Sequence, residues 1–339
     1  MSIKISICIP TYNRSHLLKT AIESILSQYT EEIEIVISDN ASEDTTEEVV
    51  RSYQKVFPRI RYFRWKSNMG ADRNFLKAVE LSSGEYCWFL GSDDAIKPGA
   101  IKRMLKEIQA ELDIYLCSRT ICDINLNPIA DQYWFNISDD FIQDLSYFKK
   151  QSLLNYYKES QSLGAVFSYL SVLVFKSSRW KQVTFCDNFI NTAYSHVFML
   201  MNFMNGECHV KSICESLVLC RGNNDSFATE GDVKRFLLDI DGYRLLADYF
   251  YSMDLVLRQE FLSIIKREHP WYRLVKIRSM TNVENWFSIK NKLLDCGVSE
   301  NKLNLVSKIG VFKPIVFCLL YFKRVLPPIS FLLHNVRRN

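Results

Sequence analysis

The sequence predicts an α/β chain: a mostly parallel central sheet followed by a helical C-terminal region. Three observations carry that expectation. Over the first third of the 339 residues, short β-branched runs alternate with segments of helical period. Polar clusters recur just after successive strand-like runs, the edge at which open α/β sheets bind ligands. Beyond residue 231 the pattern changes to charged segments of helical period. With 48% apolar and 13% aromatic residues, the chain can bury a substantial core, which excludes a disordered class.

The elements come in order. Residues 3–9 (IKISICI) form a β-branched first strand, and Ser15 is placed to cap a helix with Leu18, Ala21, Ile22 and Ile25 on one face. Residues 33–37 give a second strand, and the acidic stretch 43–56 a second helix. A third strand over 60–65 precedes a helix through Phe75, Leu76 and Val79. A fourth strand over 86–90 leads to a helix over 98–111, where Pro98 suits the first turn, and then to a strand over 113–117. The polar clusters PTYNR (10–14), SDNASED (38–44), SNMGADRN (67–74) and GSDD (91–94) all come directly after these strands. Adjacent carboxylates such as Asp93 and Asp94 repel one another. They either decorate a solvated turn or hold something positive, and four polar turns at one sheet edge favour a site.

SICIPTYNR, VISDNASED, NMGADRN and FLGSDD, with Pro98 four positions after Asp94, resemble the family 2 glycosyltransferases, which share the nucleotide-sugar-binding GT-A fold. These motifs cover roughly residues 3–120. Across its whole length the chain is similar to the abequosyltransferases of O-antigen assembly, which move a 3,6-dideoxyhexose from a CDP-sugar to a lipid-linked oligosaccharide. The resemblance implies a nucleoside diphosphate leaving group and a divalent cation that stabilises its growing charge. Asp94 matches the metal ligand, and Asp93 would complete the metal shell or bind the ribose. Oxygen ligands suit Mg²⁺ or Mn²⁺. Many relatives carry a further Asp where this chain has Gly91, which implies more ligation from diphosphate and water.

The same resemblance has Pro10, Thr11, Tyr12, Asn13 and Arg14 wrap the nucleotide, with Tyr12 against the base or ribose. Asp39 matches a base-recognising carboxylate; one acceptor serves the cytosine amino group or the uracil N3–H, so CDP and UDP both stay open. Asn40 and Asn68 would add nucleotide contacts, with Asn40 and Asp44 alternatively turn formers. Gly70 permits a tight turn, and Arg73, one turn into the next helix, reaches phosphate or stays a surface arginine.

In the second half, residues 163–175 read as a buried strand and 187–201 as a helix. Relatives place an acidic base near the start of that helix; here Ser195 and His196 stand there, so His196 is the candidate base and Asp187 the reserve, with the stereochemical outcome open. In the loop CRGNNDSFATEG (220–231), Arg221 would pair with phosphate and Asn223, Asn224 and Ser226 would add hydrogen bonds, the alternative being a plain surface loop. The expected division is a catalytic domain over 1–230 (nucleotide half 1–118, acceptor half 119–230) and a helical region over 231–339.

Residues 301–339 hold seven basic residues and no Asp or Glu, whereas the rest of the chain is mildly acidic. The uncharged run 314–322 is too short to span a bilayer, and Pro327 and Pro328 break the apolar stretch after it. That pattern describes a helix lying in the membrane interface, or alternatively a core or homo-oligomer helix. The N-terminal residues lack signal-peptide anatomy, and the ten scattered cysteines have no metal-ligand spacing and read as reduced thiols. The expected location is cytoplasmic, peripheral on the inner leaflet of the plasma membrane. No basic, aromatic-interleaved face points to nucleic acid. The rival readings are a UDP- or GDP-sugar transferase, a nucleotidyltransferase, for which PTYNRS lacks the glycine-rich loop, and a non-catalytic scaffold of the same fold.

Overall fold

The computed structural model describes residues 2–224, 227 and 231–311. The chain forms two compact units, residues 1–226 and 227–339. In the first, the order is β1 (Ile5–Thr11), α1 (Ser15–Leu26), β2 (Ile33–Asp39), α2 (Thr46–Gln54), β3 (Ile60–Arg64), α3 (Ala71–Glu80), β4 (Tyr86–Phe89), β5 (Ala95–Ile96) and α4 (Ala100–Glu107). Next come β6 (Ile114–Cys122), β7 (Pro128–Gln132), β8 (Phe141–Leu145), α5 (Lys150–Glu159), β9 (Leu173–Lys176), α6 (Ser177–Gln182), α7 (Ser195–Met201) and β10 (Cys208–Cys220).

The sheet runs β3-β2-β1-β4-β9-β6-β10-β5, with β7 beside β6 and β8 beside β10. β1 to β4 are mutually parallel, with Ile5 opposite Ile33 and Tyr86. β9 is antiparallel to both β4 and β6, so these two run the same way, and β10 is parallel to β6. Six strands therefore present their carboxyl ends at one edge. β9 alone enters the sheet's middle from that edge, which brings the residues just before it, 169–172, to the same place. Both faces of β1, β2 and β4 are buried, which is why they read as continuous apolar runs.

Several expectations are corrected by the structure. Residues 163–175 are not one strand: short 3₁₀ turns at Leu163–Val166 and Leu170–Val172 precede the four-residue β9. Residues 187–201 are not one helix, because a 3₁₀ turn at Asp187–Phe189 is separated from α7 by left-handed Asn191 and Ala193. Ser15 does not cap α1 with its side chain. Instead, Asp44, from the loop after β2, accepts the Ser15 N–H at 2.9 Å and the Thr46 N–H at 3.0 Å, serving two helix starts with one carboxylate.

The second unit contains α8 (Asp232–Tyr251), α9 (Leu255–Glu268), α10 (Trp271–Ser279), α11 (Val283–Asp295) and α12 (Glu300–Ile309). α8 packs on α9 around Tyr243 and Phe261, whose rings stack at 5.4 Å. Asp254 caps α9, and Asp295 joins Arg244 and Arg258, which draw its pKa down to about 2. Among the described residues no helix is long and apolar enough to cross a membrane. The basic tail beyond residue 311 lies outside the described residues. All nine described cysteines are free thiols.

Candidate active site

The loops at the carboxyl edge are built on one another. Asn13, at φ 50°, uses its Oδ1 to accept the Glu43 N–H at 2.7 Å, while its own N–H reaches Ser42 Oγ at 2.9 Å. Asn40 bridges to the loop after β3, donating to Asn68 Oδ1 at 2.8 Å and accepting the Met69 N–H at 2.8 Å. Asn68 in turn accepts the Gly70 N–H, where φ of 83° explains the glycine. Asn74 donates to the carbonyls of Thr11 and Ser38, tying β1 to β2. Pro10 and Thr11 are buried within β1, while Tyr12 is 41% exposed on the loop surface. Asn13, Asn40 and Asn68 therefore hold the loops, which leaves Tyr12 and Arg73 exposed, while Arg14 turns inward to Asp93 and the Asn224 carbonyl.

Asp39 is fully buried at the end of β2. Its Oδ1 accepts the Ser42 N–H at 2.8 Å and its Oδ2 the Tyr62 hydroxyl at 2.6 Å, with Arg64 at 3.6 Å. One lone pair on each oxygen remains. Arg73 is exposed on α3 and makes no ion pair with any described residue.

The carboxylate pair sits beyond β4. Asp94 is 3% exposed. Its Oδ1 accepts the Arg221 N–H at 3.0 Å, and its Oδ2 accepts the hydroxyls of Tyr169 at 2.6 Å and Ser171 at 2.5 Å. Burial first, and the neighbouring Asp93 charge second, push its pKa up to about 6. Asp93 Oδ2 is paired with Arg14 at 2.8 Å and accepts from Asn224 at 2.9 Å, whereas its Oδ1 accepts from no described residue. Arg221 does not extend freely: its Nε donates to the Asp93 carbonyl at 2.8 Å and its Nη1 to the Ile124 carbonyl at 2.5 Å. Its Nε and Nη1 thus hold the loop backbone.

A Cβ on Gly91 would stand 3.0 Å from both Asp93 Oδ1 and Asp94 Oδ2. The two carboxylates thus crowd the space above the glycine, and a side chain there would require them to give by a few tenths of an ångström. The donor set fits a hard cation: oxygen ligands, an open Asp93 Oδ1, a spare lone pair on Asp94 Oδ1, and a buried carboxylate made costly by its like-charged neighbour. Among the described residues no group of three ligands gathers, and Asp93 and Asp94 are the two carboxylates that meet there.

Sequence reasoning missed Arg119, Tyr169, Ser171 and Asp72. Arg119, in the second half of β6, stacks its guanidinium 3.8 Å from the Tyr169 ring centre and donates to Gln132 at 2.8 Å. Asp72 is 2% exposed on α3 and accepts the N–H groups of Ala193 at 3.0 Å and Ser195 at 3.2 Å, which fills the start of α7. The signal for Tyr169 and Ser171 was the reversed direction of β9, which only pairing reveals.

His196 does not serve as a surface base. It is 1% exposed, packed edge-on against Phe75 at 5.8 Å and Phe89 at 6.4 Å, and burial pulls its pKa down to about 4. Such an imidazole is a core ring, far from the poise a general base needs. Asp187 is exposed, and no contact among the described residues joins it to the Asp93–Asp94 group.

Residues 6–170 match the family model described as glycosyl transferase family 2. The chain is also 37% identical over 314 residues to abequosyltransferase RfbV of Salmonella typhimurium, covering 90% of this chain and 93% of that one. The chain belongs to glycosyltransferase family 2. A second relative, the GalNAc(5)-diNAcBac-PP-undecaprenol beta-1,3-glucosyltransferase of Campylobacter jejuni, is 37% identical over 105 residues, 31% of this chain and 34% of that one. Among solved structures, residues 1–349 of TarS from S. aureus in complex with UDP-GlcNAc superpose with a TM-score of 0.61 at 16% identity, covering 94% of this chain and 92% of that one. That likeness establishes the GT-A type of fold. In this family 2 glycosyltransferase, the strand-end loops 10–14, 38–44, 67–74 and 91–94 all fall within the part of the chain that the family model covers.

Proposed function

We propose that this glycosyltransferase moves a dideoxyhexose, abequose from CDP-abequose, onto a mannose-containing oligosaccharide carried on undecaprenyl diphosphate, in O-antigen assembly. The observation that carries this reading is the extent of the likeness to RfbV, which runs through the second half and into the helical unit. The match to the Campylobacter enzyme covers only 105 residues. The name of that enzyme supports a lipid-linked acceptor class.

Asp93 and Asp94 would hold Mg²⁺ or Mn²⁺, which when bound neutralises charge on the departing diphosphate. The chain's own residues do the rest. Arg14, now 2.8 Å from Asp93, is placed to exchange that carboxylate for a phosphate oxygen, and exposed Arg73 adds a second cation. Tyr12 offers a ring face to the base or ribose. Asp39, oriented by Ser42 and Tyr62, accepts a hydrogen bond from the base. The buried hydroxyls of Tyr169 and Ser171 keep Asp94 in one orientation while the sugar–phosphate bond breaks. The acceptor hydroxyl approaches from the second half and the membrane side, with the basic tail as the proposed membrane contact.

The test is transfer itself. CDP-abequose and a mannose-bearing lipid-linked oligosaccharide are incubated with the protein, and the product is read by mass. A gain of one dideoxyhexose, lost in the folded Asp94→Ala variant, is the expected outcome. Transfer only from UDP- or GDP-sugars would overturn the donor assignment, and no transfer by a folded sample would favour the scaffold reading.

A further inference from the structure

Four carboxylate oxygens meet at the end of β4, and the protein treats them unequally. Asp94 Oδ2 already receives two hydroxyl hydrogens, from Tyr169 and Ser171, which fills both of its in-plane lone pairs. Asp93 Oδ2 is taken by Arg14 and Asn224. Among the described residues, what stays open is Asp93 Oδ1 and one lone pair of Asp94 Oδ1, beside the Arg221 N–H. The two hydroxyls are themselves rigid. Ser171 is 1% exposed, its Oγ accepts the Gly91 N–H at 2.8 Å, and its carbonyl accepts the Trp88 indole N–H at 2.9 Å. Tyr169 is clamped from behind by the Arg119 guanidinium, 3.8 Å from its ring centre. Both come from the segment that leads into β9, the strand that enters the middle of the sheet, between β4 and β6, from the ligand edge.

We infer that Tyr169 and Ser171 are positioning residues that turn Asp94 so that Oδ1, rather than Oδ2, is presented to a divalent cation. This deepens the proposed cation-holding role of Asp93 and Asp94 and rests on it. Ser171 also lies beside Gly91. Its hydroxyl stands 3.3 Å from where a side chain at 91 would begin, so one hydroxyl from the second half of the unit reaches the carboxylate across the glycine.

The test reads cation binding directly, with Mn²⁺ alone as the probe. Electron paramagnetic resonance would track the loss of free Mn²⁺ in the full chain, in Tyr169→Phe, and in Tyr169→Phe combined with Ser171→Ala. Residues orienting a metal ligand typically change affinity 10–100-fold. The inference expects Mn²⁺ affinity to fall about tenfold in Tyr169→Phe and further in the double variant, with the thermal midpoint and circular dichroism of Tyr169→Phe close to those of the parent. Ser171→Thr, which keeps the hydroxyl, is expected to retain Mn²⁺ binding. Unchanged affinity in the folded double variant would overturn the inference, as would a parent protein that takes up no Mn²⁺. CDP is titrated separately. Mn²⁺ binding without CDP binding would sink the donor assignment while leaving this inference standing.

Discussion

Asp94→Asn should make the cation-free protein more stable at pH 7.5 while destroying its transfer activity. Asp94 is buried, and burial together with Asp93 raises its pKa from 3.8 to about 6. A folded-state pKa above the unfolded one means that the folded chain holds the proton more tightly. Stability therefore declines as pH rises from about 4 to about 6 and stays lower above that. A shift of about two units corresponds to about 3 kcal/mol once the carboxylate is fully ionised. Asparagine carries no charge. Its carbonyl can still accept from Tyr169 and Ser171, but its amide faces the Arg221 N–H and forfeits that bond, at about 1 kcal/mol or somewhat more. The net gain is about 1–2 kcal/mol, a rise of about 2–8 °C for a unit of this size. Thermal unfolding in EDTA at pH 7.5 and pH 4 measures it, and the gain should vanish at pH 4. A variant less stable than the parent at pH 7.5, or equally favoured at both pH values, would refute the reasoning.

Two further predictions concern residues whose roles the structure reassigns. His196→Phe should keep kcat within about threefold, because the imidazole is a core ring among Phe75 and Phe89; a catalytic base would cost about 100-fold or more in steady-state assays. Asp44→Ala should lower stability by about 1–2 kcal/mol in denaturant unfolding, since one carboxylate serves the starts of both α1 and α2. Its pKa is lowered because hydrogen bonds from Thr46 and Ser15 outweigh the burial that opposes them, so its contribution is present above about pH 4 and fades below.

The alternation of β1 to β4 with α1 to α3 was legible because β1, β2 and β4 are buried on both faces and each helix has one buried face. The strand-end loops were legible for the same reason: chain direction in a parallel sheet places them together. What failed to show was everything decided by pairing across long separations. Residues 163–175 form an apolar run whose period cannot tell a strand from buried 3₁₀ turns, and its reversal at β9 is what brings Tyr169 and Ser171 to Asp94. The cap of α1 comes from Asp44, 29 residues away, because loop 38–44 folds back over loop 10–14. His196 looked like a base by its place in the chain, yet α7 turns that ring inward against Phe75. The nearby buried carboxylate, Asp72, comes from the first turn of α3, far back in the chain.

The central claim, a cation-assisted nucleoside diphosphate site on Asp93 and Asp94, is tested most directly by calorimetric titration with CDP, UDP and GDP, each with and without Mn²⁺. The account predicts Mn²⁺-dependent binding that prefers CDP and is lost in Asp94→Ala. Binding of none of the three by the folded protein, or CDP binding indifferent to both Mn²⁺ and Asp94, would contradict it.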